Sequence, residues 1–394
     1  MKLNEQNAID RVLKLMSVSG VSCREQAVSD LIRKMLEQAG VPASAIEVDS
    51  AHQRSPAGGE TGNLIVRLKG TRRGPRRLLM AHMDTVPLAA GCVPVRKDDW
   101  IHPASGLTAL GGDNRAGCAA VLTAVIETLE QKIDYPPLTL LFTVQEEIGL
   151  RGARFLNPSK LGNPELCFNW DGRAATDFIV GAVGANNLQI VVDGIASHAG
   201  VHPENGVNAL VVASLALADL QNQGWHGLVL KGRQRGTSNI GIVSGGDATN
   251  VVMPRVHVQA EARSHNAAFC RRIVSAYRKA FDRAVKQVSS ADRRRAQVTF
   301  QEDLRYDAFR IKPSAGCVQS AIRVAGVLGV PHSIAICNGG LDANWMTAHG
   351  FRTVTLGCGQ HEIHTVNERL HLPDFLRACS IALMLATAAD ERLE

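Results

Sequence analysis

The chain alternates short apolar runs with amphipathic segments, which is the pattern of a sheet covered by helices. Four apolar runs rich in β-forming residues each lead into polar side chains: RRLLMAHMD, LTLLFTVQEE, ELCFNWD and RTVTLGCGQHEIH. Uninterrupted runs of this kind are typical of strands that are buried on both faces. Segments with helical spacing lie between or after them, including NRAGCAAVLTAVIETLEQ and the C-terminal DFLRACSIALMLATAADE. The pattern predicts an α/β fold with a mixed, mostly parallel sheet flanked by helices.

The pattern changes near residue 182, where alternating strands replace the continuous apolar runs. Polar and apolar residues alternate in NNLQIVVDGIAS, TSNIGIVSGG and RVHVQAEARS, and two amphipathic helices accompany them, NGVNALVVASLALADLQNQ and FCRRIVSAYRKAFDRAVKQ. Two helices packed on an antiparallel sheet whose other face is exposed to solvent make a compact α+β unit. A chain of 394 residues is also too long for one ordinary core. We therefore predict a main domain over 1–182 and 303–394, interrupted by a smaller α+β domain over 183–302.

Composition favours a cytoplasmic protein that binds neither membranes nor nucleic acid. No apolar stretch is long enough to span a bilayer, and the N-terminus lacks the cationic start and apolar block of a secretory signal. The nine cysteines are scattered without a C-x-x-C pair, which indicates reduced thiols. The formal charge is +6, with arginines clustered in segments such as TRRGPRR. Aromatic residues do not interleave with these clusters, so a solvated surface is favoured over a nucleic-acid interface.

The polar residues that follow the strands are of the types that bind metal ions. They are His82 and Asp84, Glu146 and Glu147, Asp171, and His364; Asp113 lies where a glycine-rich turn opens a helix. Each alone has an ordinary alternative, such as a polar turn for His82 or a helix cap for Asp113. In open α/β sheets, however, ligands collect beyond the carboxyl ends of the strands. Two adjacent carboxylates there repel unless a cation offsets them. Together these residues predict a divalent-metal site in a metallohydrolase.

The ordered motifs resemble those of a known family. HMDTVP, GGDNRAG, EEIGLRG, NWDGR and IHTVNE resemble the motifs of the dizinc metallopeptidase family that includes peptidase T, aminoacylase and succinyl-diaminopimelate desuccinylase. The resemblance extends over almost the whole chain. GIASHAGVHPENGVNAL and GGDATNVVMPRVHVQAEARS look like the family's lid segments. GGLDAN lies in a segment that looks like the family's late strand-turn-strand segment. The resemblance therefore implies a catalytic domain interrupted by a lid and dimerisation domain.

The resemblance also implies a role for each candidate. Asp113 would bridge two divalent cations, one also bound by His82 and Asp171 and the other by Glu147 and His364. Glu146 would be the general base for the water shared by the two ions, and Asp84 would orient His82. Oxygen and nitrogen ligands without a thiolate favour Zn²⁺, with Mn²⁺ or Co²⁺ as alternatives. A cis Asp113–Asn114 peptide is implied as well.

Three residues of the inserted domain receive roles only from the resemblance. His198 would stabilise the tetrahedral oxyanion, often from the partner subunit of a homodimer. Asn250 would be a companion lid residue, and Arg263 would meet a substrate carboxylate.

Asp171 is the best indicator of the substrate. In this family an aspartate at that position accompanies aminopeptidases and dipeptidases, whereas glutamate accompanies carboxypeptidases and deacylases. The leading hypothesis is therefore release of the N-terminal residue from short peptides, in particular tripeptides. An N-acyl-amino-acid amidohydrolase with the same two-metal site is the alternative, and a catalytically silent binding protein is a third. Trp170 and Arg151 depart from the family pattern and leave side-chain preference open.

Overall fold

The computed structural model describes residues 3–388, which separate into two compact units. The first unit comprises the chain up to Ala182 and again from Arg310, and the second comprises Val183–Phe309. The predicted end of the insertion at residue 302 is too early. A strand over Gln297–Tyr306 crosses that position and pairs with the sheet of the second unit, so the insertion continues to Phe309.

Ten helices and eighteen strands are described, and their bounds in chain order are as follows. The helices are α1 (Glu5–Met16), α2 (Gln26–Gln38), α3 (Ala51–Arg54), α4 (Gly112–Glu130), α5 (Arg151–Arg154), α6 (Ala209–Asn222), α7 (Ala267–Gln287), α8 (Gly316–Val327), α9 (Asp342–Ala348) and α10 (Leu372–Thr387). The strands are β1 (Ile46–Val48), β2 (Leu64–Leu68), β3 (Arg77–His82), β4 (Pro94–Lys97), β5 (Trp100–Pro103), β6 (Leu138–Thr143), β7 (Leu166–Trp170), β8 (Asp177–Ala182), β9 (Gly184–Asp193), β10 (Gly227–Lys231), β11 (Gln234–Gly245), β12 (Arg255–Ser264), β13 (Gln297–Tyr306), β14 (Phe309–Arg310), β15 (Ser333–Cys337), β16 (Thr353–Leu356), β17 (Gln360–His361) and β18 (Arg369–His371).

The four predicted buried strands are neighbours at the centre of a large mixed sheet. Their order is β6-β3-β7-β16, and each pairs in parallel with the next. On the two sides, β2 is antiparallel to β6 and β8 is antiparallel to β16. The predicted α/β class with a mixed sheet is confirmed. Because the four central strands are parallel, their carboxyl ends meet along one edge of the sheet.

Helix α4 is buried along almost its whole length and packs against α1, α10 and β3. Its small residues permit this close approach. A Cβ atom added at Gly117 would lie only 2.3 Å from the carbonyl oxygen of Trp170. The start of α4, which carries Asp113, is therefore held firmly against the end of β7. The predicted C-terminal helix is described as far as Thr387, and its predicted residues from 389 onward lie outside the described residues.

A small four-stranded sheet, ordered β17-β18-β5-β4, was not predicted. Its hairpin β4–β5 lies in a stretch between His82 and Gly112 whose prolines and glycines suggest loop. The pairing that completes it is non-local, since Trp100 pairs with His371 and Ile101 with Leu370. Local sequence patterns carry no information about partners so far along the chain.

The second unit is a five-stranded antiparallel sheet, ordered β10-β11-β12-β9-β13, with α6 and α7 packed on it. The apolar residues of β9 and β12 alternate with exposed polar ones, as the period-two pattern predicts. Strands β10 and β13 were missed. Among residues 3–388, no helix is both long enough and apolar enough to cross a membrane.

Candidate metal centre

The carboxyl edge of the central sheet in the first unit delivers the predicted metal ligands. His82 is the last residue of β3, and Asp171 directly follows β7. Glu147 lies just beyond β6, and His364 lies beyond β16. Asp113 enters from the start of α4. Five side chains that are distant in sequence are thereby brought together.

Asp113 belongs to two groups of potential ligands. One group is His82, Asp113 and Asp171, the other is Asp113, Glu147 and His364, and within each the ligand atoms lie within 4.8 Å of one another. The Oδ1 atom of Asp113 is 3.1 Å from Nε2 of His82, and its Oδ2 atom is 3.2 Å from Nε2 of His364. Ligands about 2.0–2.2 Å from a tetrahedral zinc ion are themselves about 3.5 Å apart. The donor set therefore fits two cations, and each of the two ligand groups would hold one of them.

The five candidate ligands differ in exposure. The side chains of Asp113 and Glu147 are only 7% and 6% exposed, whereas that of His364 is 45% exposed. His82 is buried with them. The cluster therefore opens to solvent on the side of His364.

Asp84 contacts His82, Glu146 and Glu147 and holds them in place. The Nδ1 atom of His82 lies 3.1 Å from the carbonyl oxygen of Asp84 and 3.5 Å from its Oδ1 atom, which leaves Nε2 to face the cluster. The fully buried Asp84 carboxylate also accepts hydrogen bonds from the backbone N–H groups of Glu146 and Glu147, at 2.9 and 3.2 Å. The Ser22 hydroxyl donates to its Oδ2 atom at 2.6 Å. Asp84 thus positions both His82 and the two glutamates.

The cluster concentrates negative charge in a buried place. Burial raises the pKa of Glu146 well above its ordinary value; Asp171, Asp342 and Glu147 raise it further, and His82 lowers it. Burial alone would raise the pKa of Asp113 too, but hydrogen bonds from His364 and His82 hold it well below the ordinary value. Hydrogen bonds to Asp113 and Glu147 in turn raise the pKa of His364 to about 10. Such an arrangement favours positive charge at the centre of the group.

The Asp113–Asn114 peptide is cis, as the resemblance implied. The Asn114 side chain is held on both sides. Its Nδ2 donates to the carbonyl oxygen of Trp170 at 2.7 Å, and its Oδ1 accepts from the backbone N–H of Gly117 and from Nε2 of Gln360, at 3.0 and 2.9 Å. Asn114 therefore ties the start of α4 to the end of β7 and to β17.

Two buried carboxylates near the site were not predicted. Asp342, at the start of α9, accepts a hydrogen bond from the Thr143 hydroxyl, and burial raises its pKa to about 6. Glu368, four residues after His364, accepts backbone hydrogen bonds from the turn that precedes Asp113. Both lie inside motifs that support the family resemblance, GGLDAN and IHTVNE. Nothing in the local pattern distinguishes them from surface residues.

The three candidates of the inserted domain lie in the second unit. His198 is exposed and its backbone forms a bridge with Val251, while the N–H of Ala199 donates to the carbonyl oxygen of Asn250 at 2.9 Å. The two predicted lid segments are thus neighbours. Arg263 lies on β12 and forms a two-point ion pair with Glu261, at 2.9 and 3.0 Å. Their roles toward substrate stay predictions.

Comparisons with known proteins identify the family to which the fold belongs. The family described as peptidase family M20/M25/M40 matches residues 78–388. The Bacillus subtilis protein YqjE, described as uncharacterized, is 29% identical over 390 residues, covering 98% of this chain and 99% of that protein. The aminopeptidase PepT of Bacillus cereus has a similar structure, with a TM-score of 0.85, 28% identity and 98% of both chains covered. A tripeptidase of Staphylococcus aureus superposes with a TM-score of 0.87, again at 28% identity and 98% coverage of both chains.

Proposed function

Because the chain belongs to peptidase family M20/M25/M40, we propose that it is a metal-dependent exopeptidase that releases the N-terminal residue from tripeptides. The observation that carries the proposal is the position of Asp113, whose carboxylate is common to two ligand groups at the edge of the sheet. The full-length likeness to an aminopeptidase and a tripeptidase supports this specificity. We also propose a cytoplasmic location, which suits nine free cysteines.

Each residue of the site would have a separate role in this reaction. His82, Asp113, Asp171, Glu147 and His364 would hold two divalent cations, with Zn²⁺ expected from the nitrogen and oxygen ligands. Bound cations supply polarisation of the scissile carbonyl and a lowered pKa of the attacking water. Glu146 would take the proton of that water and deliver it to the leaving amine. Asp84 fixes the backbone of Glu146 and so aims its carboxylate.

A panel of blocked peptides is expected to separate the proposed reaction from its alternatives. With the Zn²⁺-loaded protein, a free tripeptide should lose its N-terminal residue, and the same tripeptide with an acetylated N-terminus should be a poor substrate. Chromatography of the products identifies which residue is released. Hydrolysis should stop when the metal is removed by chelation.

Other outcomes of the panel would contradict the proposal. Cleavage of N-acyl amino acids without cleavage of tripeptides would indicate a deacylase. Release of the C-terminal residue from the acetylated tripeptide would indicate a carboxypeptidase. Binding of peptides without hydrolysis, with or without metal, would favour a silent binding protein.

We further propose that His198 stabilises the oxyanion of a partner subunit in a homodimer. The His198→Ala variant should lose about 10²–10³-fold in kcat, the effect of removing one oxyanion donor. Co-expression of His198→Ala with Glu146→Gln tests the dimer. A mixed dimer would contain one intact site of two, and random pairing makes about half of the dimers mixed. About a quarter of the wild-type activity should therefore return.

The co-expression result decides between the two arrangements. If His198 acts within its own subunit, neither site of a mixed dimer is intact and activity stays low. If His198→Ala is as active as the wild-type protein, the proposed role of His198 is wrong.

A further inference from the structure

Glu368 is a buried carboxylate enclosed by the turn that leads into α4. Its Oε2 atom accepts hydrogen bonds from the N–H groups of Leu110 and Gly111, each at 2.9 Å, and its Oε1 atom accepts from the N–H of Asp113 at 2.9 Å. Only 1% of Glu368 is exposed. Three backbone donors from one short turn thus converge on a single side chain, which is an arrangement that binds an anion tightly.

The turn is shaped for this contact. Gly111 has a φ of 73°, in the left-handed region that favours glycine. A Cβ atom added at Gly112 would lie 3.2 Å from Oε1 of Glu368, which is closer than ordinary van der Waals contact. The glycines therefore let the backbone wrap around the carboxylate, and Asp113 follows directly.

Glu368 also belongs to the segment that carries His364. Its own N–H donates to the carbonyl oxygen of Thr365 at 3.1 Å, which closes a tight turn after His364. One side chain therefore connects the segment of His364 with the turn of Asp113. The side chains of His364 and Asp113 in turn face each other at 3.2 Å.

We propose that Glu368 is a positioning residue that sets the place of Asp113 relative to His364, so that affinity for both cations depends on its carboxylate. The inference rests on the proposed function, since it takes Asp113 as the ligand shared by two ions. Glu368 itself belongs to neither of the two ligand groups. It would act through the backbone of Asp113, whose N–H group donates to the carboxylate of Glu368.

The Glu368→Gln variant tests this role because it keeps the size of the side chain. A glutamine has one acceptor oxygen and one NH₂ donor, so at least one of the three N–H groups loses its partner and faces another donor. Loss of a residue that orients a metal ligand typically costs about 10–100-fold in metal affinity. We expect chelator competition with Zn²⁺ to show a loss of this size for both ions, with kcat reduced and KM little changed at saturating metal.

Two further variants make the test specific. Glu362→Gln, on the same segment, changes an exposed carboxylate that pairs with Arg369 at 3.1 Å, and it should bind metal as the wild-type protein does. In Gly112→Ala the added Cβ atom would displace Oε1 of Glu368 by a few tenths of an ångström. This variant should also lower the affinity for both ions, but only a few-fold. Gly112→Ala also serves if Glu368→Gln does not fold.

The outcomes separate this inference from the proposed function. If the wild-type protein binds two Zn²⁺ ions and cleaves tripeptides while Glu368→Gln and Gly112→Ala keep wild-type metal affinity, the positioning role is wrong. The same holds if these variants lower only the melting temperature. If the wild-type protein itself binds fewer than two ions, the proposed two-metal function fails first.

Discussion

Replacing Glu146 with Gln is expected to lower kcat for tripeptide hydrolysis by about 10²–10⁴-fold while the bound metal remains. Glutamine keeps the size of the side chain but cannot accept the proton of the attacking water. Glu146 is not among the ligand atoms that surround Asp113, so the variant should still bind two ions. Single-turnover kinetics together with metal analysis of the purified variant measure both quantities.

The pH profile provides a second measurement on the same variant. A general base is active when deprotonated, so wild-type kcat/KM should fall as pH drops through the pKa of Glu146. Burial raises that pKa, and the neighbouring carboxylates raise it further. In the Glu146→Gln variant the residual activity should lose this acidic limb, because the group that titrates is gone.

A matched control for this experiment lies on the same sheet. Glu165 is exposed and precedes β7 at its amino end, whereas Asp171 follows that strand at the carboxyl end. Glu165→Gln should therefore have wild-type kcat. Full activity of Glu146→Gln beside an unchanged control would show that Glu146 is not the base.

The sequence predicted the ligand-bearing strands because the evidence for each is local. An apolar run that ends in His82 or Asp171 identifies both the strand and the polar residue at its end. Parallel pairing of β3 with β7 then requires the ends of these strands to meet, which explains why His82 and Asp171 offer ligand atoms within 4.8 Å of each other. The main-sheet architecture follows from the same reasoning.

Apart from Asp84, the residues that support the ligands could not be predicted in this way, because their partners are far along the chain. Ser22 lies 62 residues from Asp84, Thr143 lies 199 residues from Asp342, and Glu368 lies 255 residues from Asp113. No periodicity marks such pairs. The missed strands β4, β5, β10 and β13 have the same explanation where their partners are distant, as Trp100 and His371 show.

The Asp113→Asn variant is expected to lose at least one metal ion and most of its activity. An amide offers one ligand oxygen in place of two, so only one of the two groups around Asp113 can remain complete. The two ions are expected to supply several kcal/mol of transition-state stabilisation. Since each 1.4 kcal/mol corresponds to a tenfold change in rate, kcat/KM should fall by roughly 10³-fold or more.

Metal analysis and thermal unfolding of Asp113→Asn distinguish a lost ligand from a damaged fold. Ions that bind only the folded protein raise its melting temperature, so added Zn²⁺ should stabilise the wild-type protein more than the variant. Asp98→Asn, an exposed aspartate at the turn between β4 and β5, should behave as the wild-type protein in both assays. If Asp113→Asn instead retained two ions, with wild-type activity and the full metal-dependent stabilisation, the carboxylate could not be the shared ligand. The case for one water activated between two cations would then fail, because no other described side chain belongs to both ligand groups.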